Sequence, residues 1–271
     1  MKNLKITARI FYGLGVAGIG ILHFMYAGFR PVILPVPPEA TAGLSILVYL
    51  MGAFLVIAGL AIALGKWIKP FSLLLAVVLL LFFLFGHLPN RLMNMPTVLG
   101  AWTDALKILA LSGGAFIIAG TFPGSTNSKL FTALDKLSFL GKYFFGAMLI
   151  IFGIDHFLYT DFVKTLVPLW IPGNLFWTYV GGVALIGAGL SFIINFKVKT
   201  ISLLTGTMLF LWLLLLHIPR SFAADNSTDP NEIVSVFECL AFSGMAFLLW
   251  FKTEVKPSFN ILTINQINPF V

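Results

Sequence analysis

The chain has 271 residues, 59% of them hydrophobic and only 10% charged, with a mean hydropathy of +1.00. A soluble domain carries roughly 25% charged residues, so there is too little polar surface here to cover a water-exposed globule. The net charge of +7 does not point to nucleic acid, because the basic residues sit in short loops between apolar runs.

A helix that crosses the hydrocarbon core needs about 20 mostly apolar residues. Eight runs meet that length. The first covers 8–28. The "MKNLK" before it suggests a signal peptide, but the run is too long for an h-region and lacks an A-x-A site. "RPVILPVPPE" separates it from the second run, 45–65, and "GKWIKP" leads into the third, 70–88. The prolines two positions beyond His87 and His217 predict helix exits. "HLPNRLMNMP" leads to the fourth run, 99–119, and "FPGSTNSK" opens the linker to the fifth, 140–160. The sixth and seventh cover 176–196 and 200–217. "SFAADNSTDPNE" precedes the eighth, 233–251. The pattern predicts an all-α polytopic membrane protein with eight transmembrane helices.

Lysine and arginine set the expected orientation. One set of loops holds Lys2, Lys5, Arg9, Lys66, Lys69, Lys129, Lys136, Lys142, Lys197, Lys199, Lys252 and Lys256. The other holds only Arg30, Arg91, Lys164 and Arg220. Both termini are therefore expected in the cytoplasm, in a bacterial-type inner (plasma) membrane. Glu39, Asp161, Asp225, Asp229 and Glu232 fall in the outer loops.

The sequence repeats itself. "GILHFMYAGF" at 20–29 matches "GIDHFLYTDF" at 153–162, and "LFGHLPN" at 84–90 matches "LLLHIPR" at 214–220. "GAFLVIAGLAIAL" at 52–64 matches "GVALIGAGLSFII" at 182–194, and "LKILALSGGAF" at 106–116 matches "FECLAFSGMAF" at 237–247. The expected organisation is a four-helix repeat over 1–120, a cytoplasmic linker over 121–139, a second repeat over 140–252 and a tail over 253–271. An even number of spans per unit orients both copies alike. Short connections favour an up-down bundle within each unit.

All four histidines are repeat-paired, His23 with His156 and His87 with His217. Each stands near the outer end of a span. Tyr26 and Tyr159 lie three residues beyond His23 and His156, on the same helix face. These six are the candidate ligand-binding residues. Asp104 and Lys107 share a face at i, i+3. Glu238 falls at the repeat position of Lys107, and Asp155 precedes His156. Charges at such depth usually face the bundle interior and pair, so these four are the ion-pair candidates, with Lys107–Glu238 favoured. Imidazole can ligate zinc, copper or haem iron, but no H-x-x-H or C-x-x-C spacing is present and no metal site is assigned. The one cysteine, Cys239, cannot form an intramolecular disulfide. No P-loop, GxSxG or HExxH motif appears.

The "GILHFMYAGF" string, the "LPVPPE" after it, the glycine-rich second span and the "HLPN" after the third resemble the DoxX-like superfamily of small four-span membrane proteins. Relatives include the DoxD subunit of thiosulfate:quinone oxidoreductase and the redox-associated MauE-type proteins. His23, Pro35, Pro89 and Asn90 carry the resemblance in the first half, and His156, Pro168, Pro172 and Pro219 in the second. Many relatives carry a glutamate in the second span, which "MGAFLVIAG" and "GGVALIGAG" lack. The resemblance implies a redox-associated role, with a quinone in an outer-side cavity lined by histidine, tyrosine and acid. The other expectations are a non-catalytic binding, transport or accessory subunit, and a haem- or metal-binding protein. Expected partners are membrane lipids and a partner membrane or periplasmic protein.

Overall fold

A computed structural model describes residues 2–35, 42–122, 124, 128–228 and 230–251. Glu39, Asp229, Lys252, Lys256, the 253–271 tail and part of the 121–139 linker lie outside the described residues. The described chain is helical without strands. Eight helices are long and apolar enough to cross a membrane. They are α1 (Lys2–Met25), α2 (Ser45–Leu64), α3 (Ile68–Asn94), α4 (Thr103–Thr121), α5 (Gly141–Leu158), α6 (Asn174–Ile194), α7 (Val198–Ala223) and α8 (Asn231–Leu249). Large apolar side chains such as Leu64, Phe85, Ile194 and Leu204 point outward. That suits a bilayer, where the surrounding solvent is as apolar as the helices.

Two of the helices run past their predicted ends. Neither α3 nor α7 stops at its histidine. Each passes through one wide π turn, Phe83–His87 in α3 and Leu213–His217 in α7, and then continues. The Leu88 amide bonds back to the Phe83 carbonyl, and the Ile218 amide to the Leu213 carbonyl. Proline has no N–H to donate, and its ring crowds the carbonyl four residues back. The wide turn relieves that crowding ahead of Pro89 and Pro219, so the prolines reshape the helix without ending it.

Helix partnering also departs from the expected bundles. α1 packs most extensively on α2 and α8, and α5 on α6 and α4. α3 lies against α4, α7 against α8, and α4 meets α8. The first helix of each predicted unit therefore sits on the fourth helix of the other. Helix association in lipid rests on close backbone approach, and the glycines mark where that happens. A Cβ on Gly15 of α1 would stand 2.5 Å from the Phe237 carbonyl oxygen of α8. A Cβ on Gly113 of α4 would stand 2.7 Å from that of Gly141 in α5. Matching hydrogen bonds tie the outer helices. Ser112 donates to the Ala76 carbonyl at 2.7 Å, and Ser243 to the Gly206 carbonyl at 3.0 Å. The buried Tyr12 hydroxyl of α1 donates to the Leu111 carbonyl of α4, a bond within the first predicted unit.

Candidate functional site

The α4–α8 contact leaves a polar cavity of about 200 Å³. Asp104 and Lys107 line it from α4. Asn231, Val234, Ser235 and Glu238 line it from α8, and Val32 from the segment after α1. Asn231, Ser235 and Glu238 stand at i, i+4 and i+7, which places them on one helix face. Glu238 lies roughly 10 Å along α8 from Asn231, at 1.5 Å per residue. The site thus sits below the ends of α4 and α8, on the face opposite the N-terminus.

Lys107 Nζ is 3.0 Å from Glu238 Oε2 and 3.4 Å from Asp104 Oδ1. The Glu238 side chain is 4% exposed and that of Lys107 20%. One ammonium faces two carboxylates, so the group carries a formal surplus of one negative charge. Glu238 Oε1 is buried and has no hydrogen-bond partner. A buried carboxylate oxygen left unpaired is costly. The site is therefore short of one donor or one positive charge. Above it, Arg220 forms a two-pronged bond with Glu232, Nε to Oε2 at 3.2 Å and Nη2 to Oε1 at 2.5 Å.

Three of the four predicted ion-pair residues meet here, and Asp155 stands apart. It is buried in α5 and neither of its carboxylate oxygens has a hydrogen-bond partner. Asn231 and Ser235 were missed by the sequence reading. Their four-and-three spacing ahead of Glu238 was the available signal.

The histidine and tyrosine candidates bond to backbone groups and not to one another. His23 Nδ1 donates to the Ile19 carbonyl at 2.8 Å, and His156 Nδ1 to the Phe152 carbonyl at 2.7 Å. Both are bonds to the preceding turn of their own helix, and they set the same tautomer. His23 packs edge-on against Phe29, whereas His156 stacks on Trp212. His87 Nε2 reaches the Ile33 carbonyl at 3.2 Å, held there by the inward-folded 30–34 segment. The Nδ1 of His217 is buried without a hydrogen-bond partner. Neither the polar cavity nor the apolar groove between α6 and α7 has a histidine in its wall. Among the described residues, no group of three His, Cys, Asp or Glu is placed to hold a metal ion. Cys239 is buried and its thiol donates to the Leu209 carbonyl.

The tyrosines bond away from the histidines. Tyr26 donates to the Asn226 carbonyl at 2.8 Å, which ties α1 to the α7–α8 loop. The Tyr159 hydroxyl accepts from the Gly100 amide at 3.0 Å, tying α5 to the α3–α4 connection. A Cβ on Gly100 would come within 3.2 Å of the Tyr159 ring, so glycine permits that approach. Both tyrosines act as latches across the predicted units.

Comparison with known protein families, curated proteins and solved structures gives no match to this chain.

Proposed function

We propose that this integral membrane protein binds a small monovalent cation, inorganic or a primary ammonium, in the cavity between α4 and α8, as a binding or transport protein. The observation that carries the reading is the unpartnered Oε1 of Glu238, buried in a polar cavity beside the Lys107–Glu238 pair. A cation there supplies the missing charge without displacing Lys107. The charge asymmetry of the loops supports entry from the outer side, with the N-terminus in the cytoplasm. The two-unit reading of the chain supports a site at the interface of the units.

The redox-associated reading, with a quinone among the histidines and tyrosines, is supported by the resemblance to the DoxX-like superfamily. None of its six residues lines either the polar cavity or the apolar groove. The binding or transport reading has a site of its own and is preferred.

The test is thermal unfolding of the purified protein in detergent at constant ionic strength. Sodium, potassium, methylammonium and the bulky tetrabutylammonium are titrated in turn. A bound ligand raises the midpoint as its concentration passes the dissociation constant. One of the small cations is expected to raise it, tetrabutylammonium is not, and Glu238→Gln abolishes the rise. A Glu238→Gln protein with the same cation response as wild type would sink the proposal, as would equal responses to all four ions.

A further inference from the structure

A second cavity lies on the opposite side of the membrane, at the face that holds the N-terminus. It is an apolar groove of about 430 Å³ between α6 and α7. Its wall includes Ala184, Gly187, Ile194, Phe196, Leu204 and Met208. That volume is within the range of an ordinary ligand pocket.

Three wall positions hold smaller residues than their counterparts in the first predicted unit. In the sequence alignment Ala184 replaces Phe54, Gly187 replaces Ile57 and Thr205 replaces Leu75. A Cβ on Gly187 would meet nothing within 4 Å. The two hydroxyls in the wall are turned to the backbone. Ser191 donates to the Phe196 carbonyl, and Thr205 to the Ile201 carbonyl at 2.8 Å. The wall therefore behaves as hydrocarbon.

The mouth of the groove is strongly basic. Lys197 reaches back over the ring of Phe196, itself part of the wall, at 5.4 Å from the centroid. Lys199 stands on the other side of α7, over Trp250 at 5.8 Å. Lys142, at the start of α5, donates to Asn195 Oδ1. Among the described residues none of these three lysines forms an ion pair, whereas Lys69, the counterpart of Lys199, is held by Asp135 at 2.6 Å. Lys197 also occupies the N-cap of α7 in a left-handed conformation (φ 44°), and no side chain caps that helix. The first amides of α7 are thus available to an anion, beside the ammonium groups of Lys142 and Lys197.

An apolar slot that opens under two lysines and an uncapped helix start matches one amphiphile. We propose that the groove holds an acyl chain of an anionic phospholipid, whose phosphate sits on Lys142, Lys197 and the start of α7. Anionic headgroups are drawn to basic residues at the membrane surface, and each lysine adds to the preference. A zwitterionic lipid can fill the slot but gains less at its mouth.

The experiment reconstitutes the protein in nanodiscs of equal parts phosphatidylglycerol and phosphatidylcholine, extracts it, and counts retained lipids by native mass spectrometry. Wild type is expected to retain phosphatidylglycerol in preference, by on the order of tenfold. Lys142→Gln with Lys197→Gln brings the ratio toward parity. Gly187→Phe fills the slot and lowers retention of both lipids, while Ile57→Phe on the other unit changes neither. A photoreactive acyl chain on phosphatidylglycerol provides a readout on the unmutated protein, and its adducts are expected within 184–208. Adducts concentrated elsewhere, wild-type retention without preference, or full retention by Gly187→Phe would each overturn the proposal.

Discussion

Removing Lys107 tests the central pair most directly. In Lys107→Met, Glu238 loses its partner at 3.0 Å while staying buried at 4% side-chain exposure. An exposed pair would contribute about 0–1 kcal/mol. Breaking a buried pair by deleting one partner costs about 3–5 kcal/mol, because the remaining charge is stranded. Glu238 can escape part of that cost by taking up a proton, which leaves a loss of about 1.5–3 kcal/mol, typical of a hydrogen bond to a charged group. Glu238→Met strands Lys107 less severely, because Asp104 stays 3.4 Å away. The double variant removes both charges and is expected to be about 1–3 kcal/mol more stable than the two single losses predict. The assay is reversible unfolding in mixed micelles, read as a complete double-mutant cycle. Single losses that add to within about 0.5 kcal/mol would refute the argument, since they would mean that the two side chains do not feel each other. Exchanging the charges, Lys107→Glu with Glu238→Lys, is expected to recover only part of the loss, because Asp104 would then face a glutamate.

Three further outcomes are expected. Gly15→Val should destabilise the fold by about 1–3 kcal/mol through overpacking, because an ideal Cβ on Gly15 lies 2.5 Å from the Phe237 carbonyl oxygen and 2.8 Å from the Ala241 Cβ; a thermal midpoint equal to wild type would contradict the α1–α8 contact. Tyr26→Phe removes one hydrogen bond from the α7–α8 loop, at about 0.5–1.5 kcal/mol, and hydrogen exchange should speed around Asn226 while the loop at Gly100 is unaffected. The exposed Asp161 is held below the usual carboxylate range by its hydrogen bond to Lys164. It therefore stays ionised to lower pH than a free aspartate, and Lys164→Gln should raise its titration midpoint, as read by NMR.

Much of this was legible in the residues. Apolar run lengths place the eight helices, because a bilayer admits few alternatives to a helix that satisfies its own backbone. The Lys107–Glu238 pair was also readable. Two opposite charges at repeat-matched positions within apolar spans have little to turn to except each other. The register of the histidines, by contrast, carries no information on direction. His23 and His156 turn back to carbonyls of their own helices, and His87 turns to a loop carbonyl. The prolines misled, since a wide turn absorbs their clash at no cost in helix length.

The sequence by itself determined the number of helices, their membrane character and the residues able to form a buried pair. These depend on local quantities: hydrophobic length, charge and spacing along one helix. Only the tertiary structure decided which helix lies beside which. Short loops were expected to keep each unit together, but backbone contact at Gly15, Gly113 and Gly141 joins α1 to α8 and α4 to α5. The pairing of α4 with α8 then creates the polar cavity and leaves one oxygen of Glu238 without a partner. The physical reason is that helix association in lipid depends on the matching of two surfaces in three dimensions, which no single segment encodes.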